Sequence, residues 1–205
     1  MNPRDEILGR LTRAQREEPL PPPWQSRRNF SDLVGRFAET LTAAYGEVFH
    51  VESLAAAHEQ ANILLRQLEV EKVVLNDERP LINLPRLPQI TYHLVGQENG
   101  KLRDFCAAAD AGISGADAAL AETGTIILTS GPGKSRLATL LPPVHIALVG
   151  TAVLTSDLFT WTQSYGRTPP SNLNFISAPS KTADIEQTMA IGVHGPKRFI
   201  VILYE

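Results

Sequence analysis

Two carboxylates, Asp117 and Glu122, stand in a run of small and apolar residues from Gly112 to Thr125 (Gly-Ile-Ser-Gly-Ala-Asp-Ala-Ala-Leu-Ala-Glu-Thr-Gly-Thr). An ionised carboxylate in such surroundings needs partners or takes up a proton. The setting suits a general acid/base or a carboxylate nucleophile, and Glu122 lies against the Thr123-Gly124 turn. Each carboxylate could equally serve to accept loop backbone N–H groups. A second segment, Ser130-Gly131-Pro132-Gly133-Lys134-Ser135-Arg136, ends like a phosphate-binding P-loop. The first glycine of that pattern would fall at Leu128, and Pro132 removes an N–H from the cradle, so nucleotide binding of that type is not expected. Lys134 and Arg136 remain candidates for holding a small carboxylate or phosphate. Further on, Ser180 and Thr182 are placed to cap a helix beginning at 182, with Lys181 beside them and Asp184 in the first turn. That arrangement predicts an anion site, although capping alone would also explain it. His194 sits between Gly192 and Gly195, which suggests close backbone approach and a proton-moving or orienting role.

Other chemistries find no support. His50, His58, His93 and His145 share no metal-ligand spacing with one another or with carboxylates, and His145, in an apolar strand, reads as a hydrogen-bonded core histidine. Neither the G-x-S-x-G elbow nor the G-x-G-x-x-G dinucleotide fingerprint occurs. Cys106 is the one cysteine, so the chain cannot form an internal disulfide or hold an iron–sulfur cluster or a four-cysteine zinc site by itself. With 19 Lys+Arg against 22 Asp+Glu, the 205 residues carry a formal charge of −3, unlike a basic nucleic-acid binder. No apolar run approaches the roughly 20 residues of a membrane span. The charged start lacks the apolar core of a signal peptide, and the expected compartment is the cytoplasm.

The elements that must position these residues follow from periodicity. Asn2 and Pro3 begin a helix expected to reach about Glu17, and the proline-rich stretch 19–23 reads as a stiff connector, so residues 1–24 form an arm expected to pack on the body or on a second copy. Residues 25–205 form the body. Helical spacing covers Asn29–Tyr45, with Gly46 ending it, and Ser53 caps a helix carrying Leu54, Ala57, Ala61, Leu64 and Leu68. Strands are predicted at Glu47–Val51, Val73–Leu75, Ile90–Leu94, Ile126–Leu128, Val144–Val149, Asn174–Ser177 and Phe199–Leu203, with a loop at Pro80–Pro88. Helices are predicted from about Ala152 to Gln163 and from Thr182 to about Ala190. Strands alternating with helices imply an α/β domain with a largely parallel, buried sheet.

Four segments, Gly112–Thr125, Leu141–Leu148, Ser180–Glu186 and Gly192–Lys197, resemble in order and spacing the lactate utilization protein C family, the LUD domain. The resemblance spans about residues 30–205. It implies a three-layer α/β/α sandwich similar to the phosphosugar isomerase and CoA-transferase superfamily. It also implies a role in oxidising L-lactate to pyruvate beside two partner proteins that carry iron–sulfur clusters. The first reading is then a non-redox subunit that binds a small anion or docks those partners, with no cofactor on this chain and no stand-alone turnover expected. Ala121-Glu122-Thr123-Gly124 looks like the glutamate turn that CoA transferases use as a nucleophile, an analogy of fold. On this basis Asp117, Glu122 and His194 are the catalytic candidates. Gly115, Thr123, Gly124, Lys134, Arg136, Ser180, Lys181, Thr182, Asp184 and Gly195 are the candidates for binding a small anion such as a 2-hydroxy or 2-keto acid. Two alternatives stay open: a free-standing acyl-transfer or isomerase-type enzyme using Glu122, and a pure interaction scaffold.

Overall fold

The computed structural model describes residues 2–13, 24–97, 100–164, 170–183 and 189–205. In chain order its elements are α1 (Pro3–Arg13), α2 (Leu33–Ala43), β1 (Glu47–Val51), α3 (Leu54–Gln67), β2 (Lys72–Leu75), β3 (Thr91–Leu94), α4 (Leu102–Ala108), β4 (Ala111–Ser114), β5 (Ala118–Leu120), β6 (Thr125–Thr129), α5 (Leu137–Leu140), β7 (Val144–Gly150), β8 (Leu154–Thr155), α6 (Leu158–Ser164), β9 (Leu173–Ile176), β10 (Lys181–Ala183), β11 (Met189–Ile191) and β12 (Arg198–Tyr204). Six strands pair in the order β1-β12-β7-β4-β2-β3, every neighbour parallel.

Alternation along these strands sends successive side chains to opposite faces, and both faces are apolar. Val73, Leu75, Ile113, Ile146, Leu148, Ile200 and Ile202 pack with Ala57, Ala61, Leu64 and Leu65 of α3 and with Leu81, Leu84 and Leu87 of the proline-rich loop. On the other face Ala147, Val149, Val201 and Leu203 meet Phe37 and Leu41 of α2 and Ala119, Ile126 and Leu128 of β5 and β6. Val74 on that face packs with Cys106 of α4 and Ala138 of α5. The result is a three-layer α/β/α sandwich. A four-stranded sheet, β8-β5-β6-β9, is set into one outer layer.

Local signals place most ends. The Asp32 carboxylate accepts Gly35 N–H and starts α2, three residues after the expected Asn29, and Ser53 Oγ accepts Ala56 N–H at the start of α3. Asn2 Oδ1 accepts Arg4 N–H at 3.1 Å, opening α1, whose Ile7 and Leu8 are exposed. Continuation of that helix to Glu17 lies outside the described residues.

Two expected helices are different structures. The stretch 152–163 is a 3-10 turn (Thr151–Val153), then β8, which pairs with the otherwise open edge of β5, and only then α6. Asp157, fully buried, restarts the helix by accepting Thr160 N–H at 2.8 Å. The expected helix from Thr182 is instead an antiparallel ribbon, Lys181–Ala183 pairing with Met189–Ile191. Ser180 N–H donates to Pro196 C=O and Gly192 N–H to Ser180 C=O, so the base of the ribbon is closed by backbone bonds. Ser180 and Thr182 are therefore not helix caps, and among the described residues no helix N-terminus stands there to attract an anion. Asp184 lies outside the described residues.

Candidate functional site

At the carboxyl ends of β2 and β4 an ionic knot has formed. The Asp117 carboxylate accepts Thr129 N–H at 2.7 Å and Thr129 Oγ1–H at 2.9 Å, and Lys134 Nζ donates to it at 2.7 Å. The same ammonium lies 3.4 Å from Glu78 Oε2, while Glu78 Oε1 accepts Gly115 N–H at 2.7 Å. Gly133 C=O accepts Asp77 N–H, and reciprocal bonds between Gly131 and Lys134 close the glycine loop, so Lys134 is delivered by backbone geometry. Burial pushes the Asp117 pKa up, but the Lys134 and Thr129 hydrogen bonds outweigh it and hold the carboxyl below its ordinary value. Burial likewise disfavours the Lys134 charge, yet Asp117 and Glu78 together raise its pKa. Asp117 is thus an ionised carboxylate at neutral pH, and the Lys134 charge is committed to two carboxylates. The knot borders a cleft of about 530 Å³ that also takes in Asp77, Arg79 and Ile82. Arg136, exposed, begins α5, its carbonyl accepting from Thr139 and Leu140.

Glu122 belongs to a different place. Asp117 and Glu122 lie on either side of the three-residue strand β5, Asp117 directly before it and Glu122 in the turn that follows. Glu122 pairs with Arg28 of the segment entering α2, and its N–H donates to Ser156 C=O. Ser26 Oγ–H donates to Asp157 and Trp24 packs edge-on against Phe159, so this entering segment runs beside Glu122. Gly124 adopts φ +62° against the Leu41 backbone, a left-handed conformation and a close approach that together require glycine. From this turn a row of hydroxyls leads away: Thr123 Oγ1 to Thr125 Oγ1 at 2.6 Å and Thr125 Oγ1 to Ser177 Oγ at 2.7 Å.

A third place gathers Ser180, His194 and Gly195. They line a pocket of about 220 Å³ with Ser177 and Ala178 after β9, Thr139 and Leu140 of α5, His145 of β7 and Phe199 of β12. His145, 1% exposed, stacks on Phe199 and contacts Ser114 Oγ through Nε2 at 2.9 Å. Burial drives its pKa down to about 3, so the ring is neutral. The core-histidine reading of His145 is thus met by a hydrogen bond, while Nδ1 has no hydrogen-bond partner among the described residues.

The candidates therefore separate into three groups: Asp117, Lys134 and, through Glu78, Gly115; Glu122 with Thr123 and Gly124; and Ser180, His194 and Gly195. Lys181 stands apart, its Nζ donating to Ala44 C=O at the end of α2 and lying 4.2 Å from the Tyr45 ring centre. Thr182 pairs with Ala190 in the ribbon. Sequence reasoning missed Glu78, Arg28, Ser177, Ser114 and the pocket role of His145. Acidic residues directly after β2, at a strand's carboxyl end, were a readable signal for Glu78. The others depend on strand register and tertiary docking. Among the described residues no three His, Cys, Asp or Glu side chains are grouped to hold a metal ion, and no helix is long and apolar enough to cross a membrane.

Comparison with known proteins bears on this geometry. A family model described as the LUD domain matches residues 34–204, from α2 to β12. A protein named lactate utilization protein C from an Exiguobacterium species is 32% identical over 179 residues, covering 84% of this chain and 77% of that relative. Proteins of the same name from Halalkalibacterium halodurans and Bacillus subtilis are 41% and 37% identical over 114 residues each, matching 53% of this chain and 50% and 46% of their own lengths. Over these two relatives the matched stretch spans about half of each protein. In structure, a DUF162 family protein from Deinococcus radiodurans superposes with a TM-score of 0.56 at 20% identity, over 84% of this chain and 96% of that one, a likeness of fold.

Proposed function

Because the chain belongs to the LUD domain family and, within it, to the lactate utilization protein C family, we propose that it is a cytoplasmic, non-redox component of an L-lactate utilization system. In this reading L-lactate is oxidised to pyruvate with electrons carried by iron–sulfur clusters on partner proteins, and this chain binds a small 2-hydroxy or 2-keto acid or docks the partners. The observation that carries the reading is the 32% identity, across 84% of the chain, to a protein named for lactate utilization. The sole cysteine supports the division of labour: Cys106 is fully buried on the inner face of α4, and one thiolate cannot hold a cluster.

The pocket beside His194 favours a ligand role there over the ionic knot. Lys134 already faces two carboxylates, so an incoming anion at the knot would have to displace one of them. Among the described residues no carboxylate is paired with Ser180 or His194. The test is genetic and biochemical together. Deleting the gene should abolish growth on L-lactate as sole carbon source while leaving growth on pyruvate intact. The purified chain alone should show no L-lactate turnover with a dye acceptor. Normal growth of the deletion strain, or robust turnover by the isolated chain, refutes the proposal.

A further inference from the structure

Residues 24–29 lie on the body as a strap. All but Ser26 are exposed, and among the described residues no backbone–backbone hydrogen bond joins 24–31 to the rest of the fold. Three side chains hold the strap instead. The Trp24 ring meets the Phe159 ring edge-on with centres 4.4 Å apart, Ser26 Oγ–H donates to Asp157, and Arg28 pairs with Glu122. Phe30, packed against the α2 layer with the Arg36 guanidinium 5.5 Å from its ring centre, fixes where the strap ends. A segment held by side chains alone opens at far lower cost than a sheet does. What it covers has a definite chemistry. Asp157 and Glu122 stand on neighbouring stretches, because Glu122 N–H donates to Ser156 C=O. Burial alone would raise the Asp157 pKa, but hydrogen bonds from Ser26 and Thr160 and the Arg28 charge outweigh it and keep the carboxyl below its ordinary value. Arg28 therefore serves both carboxylates, and among the described residues no other cation pairs with either. Leu158 and Phe159, at the start of α6, remain 40% and 41% exposed even with Trp24 in place. Lifting the strap leaves a socket of two carboxylates beside an aromatic edge, without its cation.

We infer that this socket is a docking site for an extended segment of a partner protein that carries an aromatic residue and, four positions later, an arginine, and that residues 24–29 occupy it in the resting chain as a built-in competitor. Charge complementarity selects the occupant. An arginine restores the charge that Arg28 supplies to Glu122 and Asp157, whereas an acidic or wholly apolar segment leaves both uncompensated. The spacing follows from extended backbone, in which residues i, i+2 and i+4 reach toward one side, as Trp24, Ser26 and Arg28 do. A partner that binds must first displace the strap, so docking and strap release are one event. The inference rests on the docking half of the function proposed above, and it leaves the pocket beside His194 untouched.

The experiment uses the full chain and a fluorescein-labelled peptide of residues 24–29, Trp-Gln-Ser-Arg-Arg-Asn, followed by fluorescence polarisation. The tethered strap competes at an effective concentration of about 1 mM or more. A peptide with a Kd of about 0.1 mM should therefore bind the Trp24→Ala/Arg28→Ala chain, whose own strap is disabled, about tenfold more tightly than wild type. Adding Glu122→Lys to that chain should abolish binding, and peptides carrying Trp24→Ala or Arg28→Ala should not bind. Raising the salt from about 0.05 M to about 0.5 M should weaken the complex. The native chain supplies a check that stands if the double variant unfolds. Tryptic cleavage after Arg27 and Arg28, measured by mass spectrometry against a reporter peptide in the same tube, should quicken as salt opens the strap. Equal peptide affinity of wild type and double variant, binding that survives Glu122→Lys, or strap cleavage indifferent to salt overturns the inference. If wild type runs as a dimer that Glu122→Lys separates into monomers, the occupant is a second copy and the partner assignment fails. If the deletion strain cannot grow on L-lactate and still no peptide binds, the docking site fails and the pathway role stands.

Discussion

Replacing Lys134 with methionine keeps the stem of the side chain and removes the one cation between Asp117 and Glu78. The ammonium lies 2.7 Å from Asp117 and 3.4 Å from Glu78, and the three side chains are 25%, 31% and 6% exposed in the order Lys134, Asp117, Glu78. Breaking a fully buried pair costs about 3–5 kcal/mol, and a surface pair is worth about 0–1. Partial exposure, with Thr129 still donating to Asp117 and Gly115 N–H still donating to Glu78, places Lys134→Met at about 2–3 kcal/mol. With a urea slope of about 2 kcal/mol per M for a chain this size, the midpoint should fall by about 1–1.5 M at pH 7.

The pH dependence has a definite sign. Asp117 has a folded pKa below its ordinary 3.8, so its contribution is present above that value and is lost as pH falls through the depressed pKa. Lys134 has a folded pKa above its ordinary 10.5, so its contribution is present below that value and is lost as pH rises through the raised one. The gap between wild type and Lys134→Met should hold across neutral pH and close under acid, where the Asp117 carboxylate takes up a proton in the variant first. Urea melts of both proteins at pH 7 and about pH 3 measure it. A midpoint shift below about 0.5 M at pH 7, or a gap as wide in acid as at neutrality, would refute the reasoning.

Other outcomes follow from neighbouring contacts. Gly112→Ala should cost about 1–3 kcal/mol or more in chemical denaturation, because its Cβ would run into the Ala138 carbonyl where α5 crosses β4; wild-type stability would show that α5 can move aside. Glu122→Gln should change stability by no more than about 1 kcal/mol, since Arg28 is more than half exposed, and intact-mass spectra of wild type after incubation with acyl-CoA compounds should show no adduct on Glu122. A covalent adduct there would favour the acyl-transfer reading over the non-redox subunit. Cys106, at 0% exposure, should react with a thiol reagent only at the rate of unfolding, and prompt labelling of the native chain would contradict its placement.

The sheet was legible because its strands announce themselves. Val144–Val149 and Phe199–Leu203 are nearly all apolar, and a strand buried on both faces can be little else. Ser53 capped its helix as read, because a serine before an apolar helical stripe satisfies an orphan N–H locally. The two failures share a cause. Leu154–Thr155 and Lys181–Ala183 have no periodicity of their own, and each becomes a strand because a distant segment, β5 or β11, offers hydrogen bonds. The candidate residues could be picked out from the sequence, but how they group in space could not. Asp117 and Glu122 looked like a pair at a spacing of five, but β5 runs straight between them and sends them to opposite ends. Ser180, His194 and Gly195 were read as two motifs and meet in one pocket, since the ribbon returns the chain to Pro196.

Two adjacent residues join the knot to the pocket, and this connection gives the Gly112–Thr125 segment a physical purpose beyond its carboxylates. Glu78 holds the Gly115 N–H, and a Cβ on Gly115 would crowd Glu78 and Pro80, so glycine lets the carboxylate approach the peptide. Gly115 C=O in turn takes the Ser114 hydroxyl proton, and Ser114 Oγ contacts His145 Nε2. Lys134 and Asp117 keep Glu78 within reach of that peptide without touching the pocket. The charges of the ionic knot thus neutralise one another, and through Glu78 they hold the Gly115 peptide whose carbonyl accepts the Ser114 hydroxyl. An anion captured at Lys134 would loosen that hold on Glu78.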